Sequence, residues 1–448
     1  MITIDRAKFS ALFFVKETSR KLILILIIMP FRFVTPTQRL ALLTFLISAI
    51  YVMRKLRPGL AKKALSLLTC SKKNHDQLEY AIVFHGGAGT IATNIDSTSR
   101  YEALIRVLRE SSKYIQEQIK KGKESLTACD IAEYVVILLE NEPLFNAGKG
   151  AVFNIAGLFF FIVLKKKIKM FTNLLLKKLG KHELEASIME GKTLNCGSAA
   201  LLRHIKNPIR LARDVMTCTP HIMLVGEGAE EFASKESDLV SYRPRTFHEL
   251  VDNTYFSTEY RNQQLKESRA NLQSSQDENE GKTDQVTEKI EINGNEHIQE
   301  KSTENGFGTV GCVVMYKGSV AAATSTGGRT NKMCGRIGDT PIIGAGNYAG
   351  EYCAISGTGF GEDFVRNVTA YDCHARMKYL EMDIQQAIQS HINESFKPDT
   401  GGMIGVDRYG NIGIGMNSSG MYRGWLTSKN KSIGCVAIWD QAIDVVTE

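Results

Sequence analysis

The chain reads as an α/β protein in which sheets face one another and helices cover their outer surfaces. Three observations predict this: an apolar run at residues 80–84 followed by two helical patterns, two hairpins of alternating strands in the C-terminal third, and further helical patterns between those hairpins. Residues 80–84 (Tyr-Ala-Ile-Val-Phe) form a buried strand, and the glycines after His85 allow positive φ in a tight turn. Residues 100–120 carry Leu104, Val107, Leu108, Ile115 and Ile119 at helical spacing, and 125–141 repeats the pattern. Asn207-Pro208 opens another helix through Ile209, Leu211, Ala212 and Val215, and Val225-Gly226-Glu227-Gly228-Ala229 leads into a fourth. Strands 310–315 and 320–326 alternate across Tyr316-Lys317-Gly318-Ser319, and 402–406 and 411–416 repeat that plan across Asp407-Arg408-Tyr409-Gly410. Residues 362–379 and 383–395 supply helices for an outer layer.

The 448 residues exceed one typical domain, and the net charge of +7 is mild for that size. Lysine and arginine concentrate in the N-terminal stretch and around 164–181, with no basic face interleaved with aromatics, so nucleic acid is not an expected partner. The nine cysteines lie singly, without a Cys-x-x-Cys pair, which favours a reducing, cytoplasmic setting and gives no zinc or disulfide framework. His85 and His182 have no second ligand at metal spacing and read as structural hydrogen-bonders.

Three stretches differ from the globular texture. Residues 1–78 form a hydrophobic and basic extension whose apolar runs, 22–29 and 40–53, are each shorter than the ~20 residues a spanning helix needs. Membrane association through a tilted anchor or an interfacial helix is the leading expectation, with a cleaved signal or an unstructured extension as the others. Residues 155–181 read as an insertion, apolar to 164 and lysine-rich to 178, either a surface excursion or a basic element touching a membrane. Residues 261–307 are rich in Glu, Gln, Asn, Ser and Lys and are expected to be a disordered linker, because they bury too little apolar surface to offset their ordering entropy.

That linker ends at Gly308-Thr309-Val310, where a strand begins. By itself the tripeptide is an ordinary strand opening. A chain cut between Gly308 and Thr309 would gain a hydroxyl nucleophile and a free α-amine on one residue, a known activation pairing. With an ordinary pKa of 7.7–8.0, about a tenth of such an amine is unprotonated at neutral pH.

Further blocks stand around it: His85-Gly86-Gly87-Ala88-Gly89, Asn146-Ala147-Gly148-Lys149-Gly150, His182-Glu183-Leu184-Glu185-Ala186-Ser187, Ala323-Thr324-Ser325-Thr326-Gly327-Gly328, Gly335-Arg336-Ile337-Gly338-Asp339-Thr340-Pro341, Gly344-Ala345-Gly346 and Ser356-Gly357-Thr358-Gly359. Together with 309–313 they resemble the plant-type asparaginase and isoaspartyl peptidase family of N-terminal nucleophile hydrolases, over residues 80–153, 182–246 and 307 onward. The resemblance implies a four-layer αββα sandwich, with a heavy subunit at 79–308 and a light subunit at 309–448 assembled as (αβ)2. It implies that Thr309 performs both self-cleavage after Gly308 and turnover, that Thr326 positions it, and that Thr358 and the Gly359 N–H form the oxyanion hole. It implies that Arg336 takes the α-carboxylate of a small amino-acid or isoaspartyl dipeptide substrate, Asp339 its α-ammonium, and that Gly359 and Gly361 lend backbone contacts. No organic cofactor is expected; the family's loop at Asn146–Gly150 implies a structural sodium ion held by backbone carbonyls.

Two other readings stand beside the asparaginase and isoaspartyl peptidase one. A glycosylasparaginase-like lysosomal amidase would carry aspartate before its nucleophile, where this chain has Gly308. An uncleaved, membrane-associated protein acting by binding would keep the scaffold without the cut.

Overall fold

The computed structural model describes residues 13–18, 21–26, 78–91, 97–122, 126–155, 180–234, 242–280, 308–430 and 433–447. The chain divides into two units, Met1–Asp76 and Gln77–Glu448. In the first, β1 (Phe13–Thr18) and β2 (Lys21–Leu26) pair antiparallel, with Phe13 opposite Leu26 and Thr18 opposite Lys21. Of the first apolar run, residues 22–26 lie in β2, where isoleucines at alternate positions favour an extended strand. The second run, 40–53, lies outside the described residues. Among the described residues no helix is long and apolar enough to cross a membrane.

In the second unit, β3 (Tyr80–Gly89) precedes α1 (Ser97–Lys120) and α2 (Ala128–Glu140), then β4 (Leu184–Glu190), β5 (Cys196–Leu202), α3 (Pro208–Cys218), β6 (Met223–Val225), α4 (Gly226–Ala233) and α5 (Glu259–Glu280). After these come β7 (Val310–Tyr316), β8 (Ser319–Thr326), β9 (Asn347–Ala349), β10 (Cys353–Gly359), α6 (Gly361–Asn367), α7 (Thr369–Leu380) and α8 (Ile384–Ser395). The strands β11 (Gly401–Asp407), β12 (Ile412–Met416), β13 (Gly420–Thr427), β14 (Ile433–Ala437) and β15 (Ala442–Val446) complete it.

Among the described residues, nine strands form one sheet in the order β15-β14-β13-β3-β7-β8-β4-β5-β6, and four form a second in the order β12-β11-β10-β9. Neighbours are antiparallel except β5 and β6. The period of two along β3 divides its side chains between two cores. Tyr80, Ile82 and Phe84 pack with Leu104 and Leu108 of α1 and Val135 and Leu139 of α2. Ala81 and Val83 point the other way and, with Val313 and Ala322, meet Ala354, Ile404 and Val406 of the second sheet. The far face of that sheet, through Ile355 and Met403, packs on Phe364, Cys373 and Ile388 of the C-terminal helices. The protein is therefore a mixed α/β structure built on two sheets that share a core.

Four local features differ from what the sequence suggests. First, β3 does not turn after His85 but runs on to Gly89 beside β13, with Gly86 bulged where the register shifts between Tyr422 and Arg423. Glycine is needed at 86 because a Cβ there would lie 2.6 Å from Phe145 Cε1. Second, the helix expected over 362–379 is broken at Val368, whose φ of 46° and ψ of 47° are left-handed. A new helix starts because the Ala370 and Tyr371 N–H groups donate to the carbonyls of Ala345 and Gly344 at 3.1 and 2.9 Å.

Third, the expected disordered linker begins instead as α5, with Arg261 and Leu265 buried against the rest of the unit. Its first turns are anchored there: Leu265 is fully buried, and Arg261 donates to the Gly150 carbonyl. The remainder, 281–307, lies outside the described residues. Fourth, the insertion lies outside the described residues except at its ends, and those ends are joined. Asn154 N–H donates to the Lys181 carbonyl at 2.9 Å, and Lys181 N–H donates to Asn154 Oδ1 at 2.8 Å.

Replacing Ile404, fully buried between the sheets, with alanine is expected to lower the unfolding free energy by about 2–5 kcal/mol, read as a fall in urea midpoint. Tyr379→Ala, at a side chain 65% exposed, is expected to stay within about 0.5 kcal/mol of the parent.

Candidate active site

Thr309 enters β7 in the middle of the large sheet, between β3 and β8, and is itself buried. Its hydroxyl donates to Thr326 Oγ1 at 3.2 Å. Thr326 Oγ1 also accepts from the Gly328 N–H at 3.0 Å and donates to the Gly308 carbonyl oxygen at 3.1 Å. A second donor, Asn146 Nδ2, reaches the same carbonyl oxygen at 2.7 Å. The hydroxyl of the residue after the Gly308–Thr309 bond thus points into a hydroxyl that in turn holds the carbonyl oxygen before it.

Asn146 is fixed by its other contacts. Its Nδ2 also donates to the Gly328 carbonyl at 2.7 Å, its Oδ1 accepts from Val152 N–H at 2.9 Å, and its backbone carbonyl accepts from Gly327 N–H at 3.2 Å. The loop that carries it is held from beneath by Arg261, whose Nε donates to the Gly150 carbonyl at 2.6 Å. Burial pushes the Arg261 guanidinium down to about 10, so it is still a cation at neutral pH. Sequence reasoning had weighed only the backbone of this loop. The Asn146 side chain is an addition, and its place at the head of the Asn146–Gly150 block was the available signal.

Behind Thr309, His85 Nδ1–H donates to the Thr309 carbonyl at 2.8 Å, and its Nε2 accepts from Ser356 Oγ at 2.9 Å. Ser356 in turn lies 2.8 Å from Thr324 Oγ1. Burial pushes the imidazole down to about 3, only partly offset by the carbonyl bond, so His85 is neutral at working pH. His182 is likewise hydrogen-bonded, to the Val152 carbonyl at 3.1 Å and Ser257 Oγ at 3.0 Å. Thr358 lies two residues beyond Ser356 on the same face of β10, and its Oγ1 accepts from Ala88 N–H of β3 at 3.2 Å. Gly359 pairs with Gly401, and a Cβ on either would overlap the backbone opposite.

Arg336, Asp339 and Gly361 form a second group. A Cβ on Gly361 would sit 2.5 Å from Asp339 Oδ1 and 3.0 Å from Arg336 Nη2, so the two charged side chains converge over its bare Cα. Asp339 is buried, and among the described residues its Oδ2 has no hydrogen-bond partner. Burial pushes its carboxyl up to about 7, against the opposing pull of Arg336. Arg336 is engaged by Glu362, which sequence reasoning passed over although it directly follows Gly361.

One segment, running into β4, unites the two groups. Alternate residues of the His182–Ser187 block face the 335–340 loop: Glu183 Oε2 accepts from Gly335 N–H at 3.1 Å, Glu185 Oε2 from Gly338 N–H at 3.0 Å, and Ser187 Oγ donates to the Thr340 carbonyl. Glu185 stands opposite Thr326 in the sheet, and Lys332 Nζ neutralises it at 3.1 Å with both side chains buried. On the other side of Thr326, Ser325 Oγ donates to Glu140 Oε1 at 2.7 Å. Burial raises that carboxyl to about 7, partly offset by Ser325, Asn207 and the Ile209 N–H.

A buried threonine beside a carbonyl held by two donors suits amide chemistry, and the comparisons name the family. The chain belongs to the asparaginase family, whose sequence model matches residues 78–159 and 175–435. It is 36% identical over 348 residues to the isoaspartyl peptidase of Salmonella typhimurium, covering 77% of this chain and 94% of that protein. It is 35% identical over 351 residues to the isoaspartyl peptidase of Escherichia coli, covering 77% and 92%. To the plant-type L-asparaginase of Pyrococcus furiosus it is 36% identical over 344 residues, covering 76% and 94%. The break in the family match falls inside the stretch 155–181.

Removing one partner of a buried ion pair leaves the other charge unpaired. Lys332→Met is therefore expected to cost about 3–5 kcal/mol in unfolding free energy, and Glu185→Gln added to it is expected to recover part of that loss, both read by urea denaturation.

Proposed function

We propose that this chain is a self-cleaving threonine amidohydrolase that hydrolyses L-asparagine to aspartate and ammonia and cleaves β-aspartyl (isoaspartyl) dipeptides. The observation that carries the proposal is the double hold of Asn146 Nδ2 and Thr326 Oγ1 on the Gly308 carbonyl oxygen, with the Thr309 hydroxyl bonded to the second of them. Attack of Thr309 Oγ on the Gly308 carbon puts negative charge on an oxygen that already has two donors, as oxyanion stabilisation requires. The C–N bond then breaks, the Thr309 nitrogen takes the hydroxyl proton, and an ester joins Gly308 to Thr309 Oγ. Water hydrolyses that ester, leaving a carboxylate on Gly308 and a free hydroxyl and amine on Thr309.

In turnover the amine accepts the hydroxyl proton, and Oγ attacks the substrate's side-chain amide. Ammonia or the downstream amino acid leaves, and water releases aspartate from the acyl-enzyme. Thr358 Oγ1–H and Gly359 N–H serve as oxyanion donors, while Arg336 and Asp339 take the α-carboxylate and α-ammonium. The burial of Asp339 and the convergence of its Oδ1 with Arg336 Nη2 over Gly361 support this role.

The stacking of helices, two sheets and helices supports the four-layer αββα sandwich of N-terminal nucleophile hydrolases. The mature protein is proposed as two heavy chains from 79 to Gly308 and two light chains from Thr309, an assembly carried by the family resemblance. Backbone oxygens around the loop support the structural sodium ion that the resemblance implies. The Pro143 and Phe145 carbonyls crowd the place of a Cβ on Gly150, and the Glu140 carbonyl crowds that of Gly148. Bound there, a hard cation would brace the loop that carries Asn146. The free state of the cysteines among the described residues supports a reducing, cytoplasmic setting, and membrane association through residues 1–78 is retained as a proposal.

A denaturing gel of purified protein is expected to show two fragments, the smaller beginning Thr-Val-Gly-Cys by Edman sequencing. Thr309→Ala is expected to stay whole, and Asn146→Ala to cut about 100- to 1,000-fold more slowly. A persistently uncut, inactive parent would overturn the proposal. The raised Asp339 pKa gives a pH test: protonated below it, the carboxyl cannot pair with an ammonium. L-Aspartate is expected to inhibit more tightly as pH rises from about 6 to about 8, and Asp339→Asn to abolish that dependence.

A further inference from the structure

We infer that Arg329 is a specificity-determining residue that takes the carboxylate of the leaving amino acid, so that this chain favours β-aspartyl dipeptides with a free C-terminus over L-asparagine. The inference rests on the proposed amidohydrolase function and ranks its two substrates. Arg329 is anchored on the Thr309 side of the site. Thr326 Oγ1, which bonds the Thr309 hydroxyl, accepts from the Gly328 N–H, and the Gly328 carbonyl accepts from Asn146 Nδ2 at 2.7 Å. Arg329 follows directly, and its own carbonyl accepts from the Lys332 N–H at 3.2 Å, closing a turn whose far end is pinned by the Lys332–Glu185 pair. The carbonyls before and after the Arg329 Cα are both bonded, so the side chain leaves from a fixed backbone.

The side chain reaches the other half of the site. Arg329 Cζ lies 5.2 Å from the centre of the Phe360 ring, and Phe360 stands between Gly359 and Gly361, the glycine over which Arg336 and Asp339 converge. Its charge is felt two residues beyond that ring: burial pushes the Glu362 carboxyl up, but Arg336 foremost, with Arg329 adding to it, holds that group below the ordinary carboxylate range. Attraction to a ring face spends no N–H···O bond, whereas a carboxylate binds a guanidinium through its N–H groups, so the two contacts are compatible. Arg329 and Phe360 are both half-buried, which limits screening by salt.

The chemistry of the two substrates differs on the side where Arg329 is anchored. Asparagine brings one carboxylate and one ammonium, answered in the proposed binding mode by Arg336 and Asp339. A β-aspartyl dipeptide brings a second carboxylate, one carbon removed from the amide nitrogen that leaves. The same C–N bond breaks in both cases, and its nitrogen takes a proton and departs as ammonia from asparagine or as an amino acid from the dipeptide. A cation that serves the second carboxylate must therefore stand near the scissile bond, not at the substrate head. Arg336 belongs to the 335–340 loop at the head, and Arg329 is tied to Thr326 through Gly328. A carboxylate held by a charged donor adds affinity that ammonia's side of the reaction cannot supply.

The test compares the full-length parent with Arg329→Met and Arg329→Lys, self-cleavage on a denaturing gel reporting a folded site. Steady-state hydrolysis is measured with L-asparagine, β-aspartylglycine and the C-terminal amide of β-aspartylglycine, which lacks the second carboxylate. The parent is expected to show a kcat/KM about tenfold higher for the acid than for the amide, mostly through KM, and added salt is expected to narrow that gap. Arg329→Met is expected to bring the acid-to-amide ratio to about one and to lower the ratio of β-aspartylglycine to L-asparagine about tenfold, with Arg329→Lys in between. This cycle of side chain against substrate group isolates the contact, since a merely structural arginine would lower all three substrates by one factor, and that outcome overturns the inference. If Arg329→Met does not cut itself, the parent's acid-to-amide ratio and Arg329→Lys decide. A parent that hydrolyses L-asparagine but treats acid and amide alike overturns this inference alone, whereas one that hydrolyses none of the three overturns the functional proposal and this inference with it.

Discussion

The buried pair of Lys332 and Glu185 is the contact on which the site's geometry rests. Glu185 stands across the sheet from Thr326, which holds the Gly308 carbonyl, and its second oxygen grips the backbone of Gly338, one residue from Asp339. A charge in that place is costly unless matched, and Lys332 matches it from the segment that leads into the same loop. Thr326, Gly335, Gly338 and Thr340 are therefore tied to one continuous segment, residues 183–187, through Glu183, Glu185 and Ser187 at alternate positions. Chemistry that tolerates displacements well under 1 Å needs such a short mechanical path.

The layered architecture was legible in the sequence because it follows from local periodicity. The division of residues 80–84 between two cores is the period of a strand, and the hairpin at Lys317-Gly318, with φ of 48° and 80°, is the turn that short loops between strands favour. The departures arise where a distant partner overrides the local pattern. The glycines after His85 suggested a turn, yet the approach of Phe145 explains one of them. Val368 carries no breaker signal, yet carbonyls from residues 344 and 345 divide its helix. The polarity of the α5 sequence hid an arginine that a carbonyl more than a hundred residues earlier was waiting to accept.

The candidate site divides in the same way. Gly308, Thr309 and Thr326, and Arg336 with Asp339 and Gly361, were all visible as blocks resembling a family, and the structure brings each set together. Asn146 and Glu362 act through side chains whose partners lie 162 and 26 residues away, a separation that no spacing rule reads from one sequence.

The hydrogen-bonded ends of the insertion have their own consequence. Because Asn154 and Lys181 meet each other, whatever lies between them begins and finishes at a single point on the scaffold, a few residues from the loop bearing Asn146. Closing such a loop grows dearer only slowly, by about 0.6 kcal/mol for each doubling of its length. The fold therefore offers a graft point where a lineage can acquire new surface without disturbing the catalytic geometry next door.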